Sequence, residues 1–304
     1  MFAPLWLLSS ILALAAEALP GPDPVTGCVP DDGQIYQFEL DVEDGLGGML
    51  TRDAVVFLPP APPPDDEPRT LVVLLHGGGE TPFGIAATTG LDTLRNSEGF
   101  VLAAVRGTGE KPTWTAGDGC CGADERARVD DVLYLESITA ELVDLLCIDR
   151  VWAVGFSAGG MMAHRWAWQG TQVDGLLAVA GTLQVMYDEG EGTVPVWHVH
   201  GAADDQIPEA GESDPEEPSP SEPWWGYASV DLGIEDAWAV RNGWDGSDPE
   251  VTYKGDYDCR AYATTTATRW CTVAGLGHSW PAPDPEFGDL ATRGWAWFQG
   301  ASIP

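Results

Sequence analysis

Residues Leu71-Val72-Val73-Leu74-Leu75 run without a polar side chain into His76-Gly77-Gly78-Gly79. Successive side chains of a strand point to opposite faces, so a strand can be apolar throughout only if both faces are covered. The run therefore predicts a fully buried parallel strand that opens into a turn. Phe100–Val105, Val151–Val154, Leu176–Val179 and Val194–Val199 share its character. Helical patterns lie between them, the clearest with apolar residues at Val132, Leu135, Ile138, Leu142, Leu145 and Leu146. Strands alternating with helices predict an α/β fold, a mostly parallel central sheet with helices on both faces. Upstream, Ile35–Leu40 and Ala54–Leu58 read as short strands, and Pro59–Pro68 as a surface connection. At 304 residues and 44% hydrophobic, the chain can bury one large core. A single domain over 19–304 is expected, because the candidate reactive residues are spread over most of it.

The first 18 residues read as an export signal. Leu5 to Ala16 is mostly apolar and Ala16-Glu17-Ala18 has the small-x-small form of a cleavage site, with Pro20 and Pro22 following. The apolar run is too short to span a bilayer, so no stable membrane insertion is expected, and the product is secreted or periplasmic. Val25-Thr26-Gly27-Cys28 loosely resembles a lipidation box, which makes a lipoprotein attached through Cys28 the minor alternative. The formal net charge is −34, with 48 acidic against 14 basic residues. Such a surface repels nucleic acid and anionic lipid but selects no substrate.

Six cysteines fit an exported, disulfide-bonded chain. Cys259 and Cys271 flank a Thr-rich segment that reads as a hairpin and would face each other across it. Cys28, Cys120, Cys121 and Cys147 then leave three connectivities, of which a vicinal Cys120–Cys121 bond is the most strained and the least expected. No paired Cys-x-x-Cys or His-x-x-x-His spacing is present, so no metal site is expected.

Gly155-Phe156-Ser157-Ala158-Gly159 is a Gly-x-Ser-x-Gly motif. In a chain this rich in glycine, chance supplies on the order of 0.2 such motifs, so its setting matters more than its letters. It follows a strand at Arg150–Val154 and precedes a helix at Met161–Trp168, the strand-to-helix turn that lifts a serine Oγ above a sheet. A serine hydroxyl needs a base, and the base needs an acid to orient it. Of five histidines, His76 ends a strand, His164 lies in the helix after Ser157, and His198 and His200 belong to a strand; these four read as packing or hydrogen-bonded core. His278 alone lies in a late loop, Gly275-Leu276-Gly277-His278-Ser279-Trp280-Pro281, in the chain order nucleophile, acid, histidine that such a turn implies. The acid is expected where His200-Gly201-Ala202-Ala203-Asp204-Asp205 leaves a strand, at Asp204, with Asp205 the neighbouring alternative. Oxyanion donors are expected from the backbone N–H of Ala158 and of Gly78 or Gly79.

Between acid and histidine, Glu209 to Glu222 holds six acidic residues and three prolines with no apolar residue except Ala210. It cannot supply core, and 209–226 reads as an acidic insertion or lid leading into Trp224-Trp225. That pair would form a platform for a sugar or polyester surface, or be buried beneath the insert.

Taken together, these blocks resemble the secreted feruloyl esterases and polyhydroxybutyrate depolymerases of the α/β-hydrolase superfamily. The resemblance runs from about Leu71 to Trp297, through Leu75–Gly79, Trp114 with Cys120-Cys121-Gly122, Val129–Val132, Gly155–Met162, His200–Asp204, Trp238-Ala239 and Gly277–Pro281. It implies the triad Ser157, Asp204 and His278, no cofactor, and ester hydrolysis through an acyl-enzyme on feruloyl or acetyl esters of polysaccharide or on polyhydroxyalkanoates. The Cys-Cys-Gly block of that family shapes a loop near the active site, which makes Trp114 a candidate pocket wall, with core packing the alternative; Trp280 is a further pocket candidate. A non-catalytic binding protein of the same fold and a serine peptidase of the superfamily are the competing classes. All three catalytic residue types in the right order argue against the first, and the absence of propeller-like repeats against the second.

Overall fold

A computed structural model describes residues 17–43, 47–64, 67–117, 120–121, 129–185, 192–211 and 228–301. Strands β1 (Glu17–Ala18), β2 (Ile35–Glu43), β3 (Met49–Phe57), β4 (Thr70–Leu75), β5 (Val101–Val105), β6 (Arg150–Phe156), β7 (Gly175–Val179), β8 (Val196–Gly201), β9 (Glu250–Lys254), β10 (Tyr257–Tyr262) and β11 (Thr268–Val273) form one sheet. Its order is β1-β2-β3-β5-β4-β6-β7-β8-β11-β10-β9. The central strands β5, β4, β6, β7, β8 and β11 run parallel, while β2, β3, β9 and β10 add antiparallel flanks.

Alternation divides the core between the two faces. Leu71, Val73 and Leu75 of β4 pack on one side, with α3 (Asp131–Leu146) and α4 (Ala158–Gln169). Val72 and Leu74 pack on the other, with α1 (Pro82–Thr89), α2 (Leu91–Glu98) and α5 (Leu290–Phe298). Both faces of β4 are thus covered, as its continuous apolar sequence requires. Strand β3 begins five residues before the expected Ala54. Its first half pairs with β2 on the exposed edge and so carries mixed polarity, which hides it from a search for apolar runs.

On the α3 side, Arg52 and Asp131 form a buried ion pair at 2.8 Å. The second Asp131 oxygen accepts from Thr115 N–H at 2.7 Å and Thr115 Oγ at 2.8 Å, fixing the segment that carries Trp114. Among the described residues no helix is long and apolar enough to cross a membrane, and no group of three His, Cys, Asp or Glu is arranged to hold a metal ion.

The disulfides join Cys259 with Cys271, Cys28 with Cys147, and Cys120 with Cys121. The first joins residues directly opposite each other on antiparallel β10 and β11. The vicinal pair corrects the expectation that this connectivity is disfavoured. Val29 N–H donates to Leu145 C=O at the end of α3 and so draws Cys28 to Cys147, Cα to Cα 5.7 Å. Cys120 and Cys121 are left to each other, with Cys121 in the left-handed region at φ 67°. The lipoprotein alternative falls by the same bond, since the Cys28 sulfur is already committed. Residues 1–16 of the expected export signal lie outside the described residues; Glu17 and Ala18 pair with Tyr36 and Gln37.

Candidate active site

The turn between β6 and α4 places Ser157 at φ 55°, ψ −125°, a conformation that non-glycine residues seldom adopt and that persists only where the surroundings enforce it. They do so here by close backbone packing. A side chain on Gly155 would stand less than 3.0 Å from the Gly159 carbonyl, and one on Gly159 less than 3.0 Å from the Leu75 carbonyl. Both flanking glycines are therefore required by contact with neighbouring backbone. Ser157 N–H donates to Val179 C=O on β7 at 2.9 Å, which ties the elbow to the next strand.

His278 reaches this turn from the loop after β11. Its Nε2 lies 2.8 Å from Ser157 Oγ and its Nδ1 lies 2.7 Å from Asp204 Oδ2. An ionised carboxylate only accepts, so Nδ1 carries the proton and Nε2 is the acceptor for the serine hydroxyl. Asp204 is 6% exposed. Its other oxygen accepts the N–H of Gln206 at 3.0 Å and of Ile207 at 2.9 Å, so the loop after β8 locks its own carboxylate in place. The acid and histidine loops are also tied to each other, Ala203 N–H donating to Leu276 C=O at 2.9 Å. Asp205, the neighbouring alternative, has no part in these bonds.

The turn after β4 lies beside the serine: a side chain on Gly77 would meet Phe156 and the Ser157 Cβ. His76, buried and held below its ordinary pKa by burial, organises it. Gly107 N–H donates to His76 Nε2 at 3.0 Å, so Nδ1 bears the hydrogen and donates to Gly77 C=O at 2.7 Å. Trp114 Nε1–H holds the His76 carbonyl at 2.8 Å, and Glu80 accepts from Gly77 N–H at 2.9 Å. Gly79 N–H donates to Pro112 C=O at 2.7 Å. That bond corrects the expectation for Gly79, whose amide is already used. Gly78 N–H has no acceptor among the described residues, and Ala158 N–H opens the first turn of α4, where helix amides lack intrahelical partners.

The expected pocket walls fare differently. Trp114 is fully buried, so it braces the turn from beneath and does not wall an open pocket. Trp280 is 9% exposed and belongs to the buried apolar cluster of Leu91, Ala291 and Trp295 on the α5 side of the sheet. Both are corrections with one cause: indoles that follow turn residues fill the core under those turns. Trp224, Trp225 and residues 212–226 of the acidic insert lie outside the described residues.

The parallel sheet carries the serine elbow after β6 and the loops of Asp204 and His278 after β8 and β11, and solved structures share the overall fold. An acetyl xylan esterase from Aspergillus awamori is similar at a TM-score of 0.59, with 13% identity, covering 88% of this chain and 100% of its own. The chain has the α/β-hydrolase fold. The esterase PE8 is similar at a TM-score of 0.50, with 17% identity over 80% of this chain and 96% of its own. A bifunctional acetylxylan esterase/xylanase of Neocallimastix patriciarum is 28% identical over 135 residues, 43% of this chain. The chain spans 19% of that relative's length. No protein-family model matches the chain.

His76, which organises the turn beside Ser157, and His200, whose Nε2 lies 3.5 Å from Asp204 Oδ2, both read from the sequence as core histidines. A usable signal was present: His198 and His200 are two apart on a strand and so share a face.

Proposed function

We propose that the chain is an exported serine esterase that cleaves carboxylic esters through an acyl-enzyme. The observation that carries this reading is His278, whose two ring nitrogens bridge Ser157 Oγ and Asp204 Oδ2 within hydrogen-bond distance. As Ser157 Oγ attacks the ester carbonyl, His278 Nε2 takes its proton, and Asp204 stabilises the imidazolium that forms. The carbonyl oxygen becomes an oxyanion held by the N–H of Ala158 and Gly78. Collapse of this intermediate breaks the bond to the alcohol, which leaves with the Nε2 proton. Water then enters, loses a proton to His278 and attacks the acyl-serine; the acid departs and Ser157 regains its hydrogen. An intact bridge of this geometry speaks against a member that only binds.

Esters of polysaccharide are the favoured substrates. The resemblance carried by the sequence blocks points to feruloyl esters, acetyl esters or polyhydroxyalkanoates, and the name of the Neocallimastix relative favours acetyl groups on xylan. The apolar run at Leu5–Ala16 and the three disulfides support export to an oxidising compartment. Acetylated xylan, methyl ferulate and polyhydroxybutyrate assayed side by side test the reading. Acetate release from xylan is the expected result, and failure to cleave these and p-nitrophenyl acetate alike would reject an esterase.

A further inference from the structure

Three histidines that the acyl-transfer steps leave unused are fully buried behind the catalytic acid: His164 on α4, and His198 and His200 on the face of β8 turned toward it. They form a continuous chain. Trp238 Nε1 is 3.0 Å from His164 Nδ1, His164 Nε2 is 3.1 Å from His198 Nδ1, and His198 Nε2 is 3.0 Å from His200 Nδ1. His200 Nε2 ends the chain 2.7 Å from Ile207 C=O and 3.5 Å from Asp204 Oδ2.

The direction of every bond follows from one group. An indole N–H can only donate, so His164 Nδ1 must accept, and a neutral imidazole that accepts at Nδ1 carries its hydrogen at Nε2. The same deduction repeats at His198 and again at His200, where the last N–H meets a carbonyl that can only accept. Burial drives all three toward the neutral form: His164 is pushed down to about 3, His198 well below its ordinary value, and His200 is lowered against the opposing bond to Ile207. The aligned dipoles reinforce one another in a low-dielectric interior, and their positive end faces the acid loop.

Ile207 is where this chain meets the active site. Its carbonyl takes the last hydrogen, while its own N–H holds Asp204 Oδ1 at 2.9 Å. We propose that His164, His198 and His200 form a one-way hydrogen-bond chain, started by Trp238, that positions Asp204 by holding Ile207 and by turning its terminal N–H toward the carboxylate. They are positioning residues: none touches the reacting atoms. The assignment of their role rests on the reading of Asp204 as the orienting acid.

Two measurements on the full-length chain test it. Long-range ¹H–¹⁵N NMR of histidine-labelled protein at neutral pH is expected to show His164, His198 and His200 as neutral Nε2–H tautomers; an Nδ1–H tautomer or an imidazolium at any of them overturns the chain. This readout does not depend on ester hydrolysis. With p-nitrophenyl acetate, His200→Leu is expected to lower kcat about tenfold or more with KM unchanged, as small displacements of an orienting group do. His200→Gln, which keeps a donor toward Ile207, is expected to restore most of it. Full kcat in a folded His200→Leu protein, or equal losses in both variants, overturns the positioning role. If His200→Leu fails to fold, the comparison passes to His198→Gln against His198→Leu, read in the same way. A wild-type protein without esterase activity would instead reject the esterase reading, while the NMR result would still decide the chain.

Discussion

Gly201 lies so close to the carbonyl oxygen of Leu276 that a methyl group added there would stand less than 3.0 Å from it. Gly201 ends β8, just before the loop of Asp204, and Leu276 stands two residues before His278. The two loops that build the acid-base pair therefore pass in backbone contact, and their spacing is set by a missing side chain. Gly201→Ala is expected to push them apart, costing about 1–3 kcal/mol in stability as overpacking does. Activity is expected to fall about a hundredfold, because the Asp204–His278 bond is displaced. Urea denaturation and steady-state kinetics on p-nitrophenyl butyrate check the two effects separately.

Replacing the proposed nucleophile changes packing little, since Ser157→Ala removes only one half-buried hydroxyl. Ester hydrolysis is expected to fall by at least about 10⁴-fold with the melting temperature nearly unmoved. Retained activity in the purified variant would show that another group attacks the ester.

Asp204→Asn tests the orienting role. The amide keeps the shape of the carboxylate yet offers N–H groups toward His278 and lets the imidazole adopt the wrong tautomer. A fall in kcat of about 10⁴-fold is expected with little change in stability. A loss of less than about tenfold would assign the orientation of His278 to something other than Asp204.

The ion pair under the Trp114 segment is a matter of stability. Arg52 and Asp131 are 3% and 0% exposed, so Asp131→Ala leaves a guanidinium in the core without its counter-charge. The expected loss is about 3–5 kcal/mol, read from urea midpoints. A loss below about 1 kcal/mol would mean that Arg52 finds water or another partner.

The histidine chain makes stability depend on pH with a definite sign. His164 stays neutral in the folded protein down to about pH 3, but once unfolded it takes up a proton below its ordinary value of 6.5. The unfolded state thus binds more protons between those limits, and stability is lost as the pH falls from about 6.5 toward 3. Each histidine in this position contributes a slope of up to about 1.4 kcal/mol per pH unit. His198 is lowered in the same direction and adds to it. Denaturation midpoints measured from pH 7 to pH 4 should fall, and fall less steeply in His198→Leu; a flat profile would contradict neutral burial.

Much of this was legible without coordinates. The continuous run Leu71–Leu75 determined a strand covered on both faces, because no other setting hides every side chain of an alternating backbone. Ser157 was readable from glycines that leave room for neighbouring backbone, and His278 from turn residues late in the chain, since both depend on neighbours a few positions away. Helices α1 and α2 are not legible in the same way, because each is only eight residues long, too short to establish a period, and Gly90 alone separates them.

Contacts across the fold were decided elsewhere. That Gly79 donates to Pro112, that Cys120 must pair with Cys121, that Trp114 and Trp280 fill core, and that three histidines line up behind Asp204 all depend on which elements meet when the helices and loops pack onto the two faces of the sheet. Residues distant in the chain become hydrogen-bond partners only through that packing, and a pattern of residue types carries no information about which donor arrives first at a shared acceptor. The sequence by itself determined the sheet, the turn that carries Ser157 and the chain order of Ser157, Asp204 and His278; the tertiary structure alone decided which amides and imidazoles come to lie beside them.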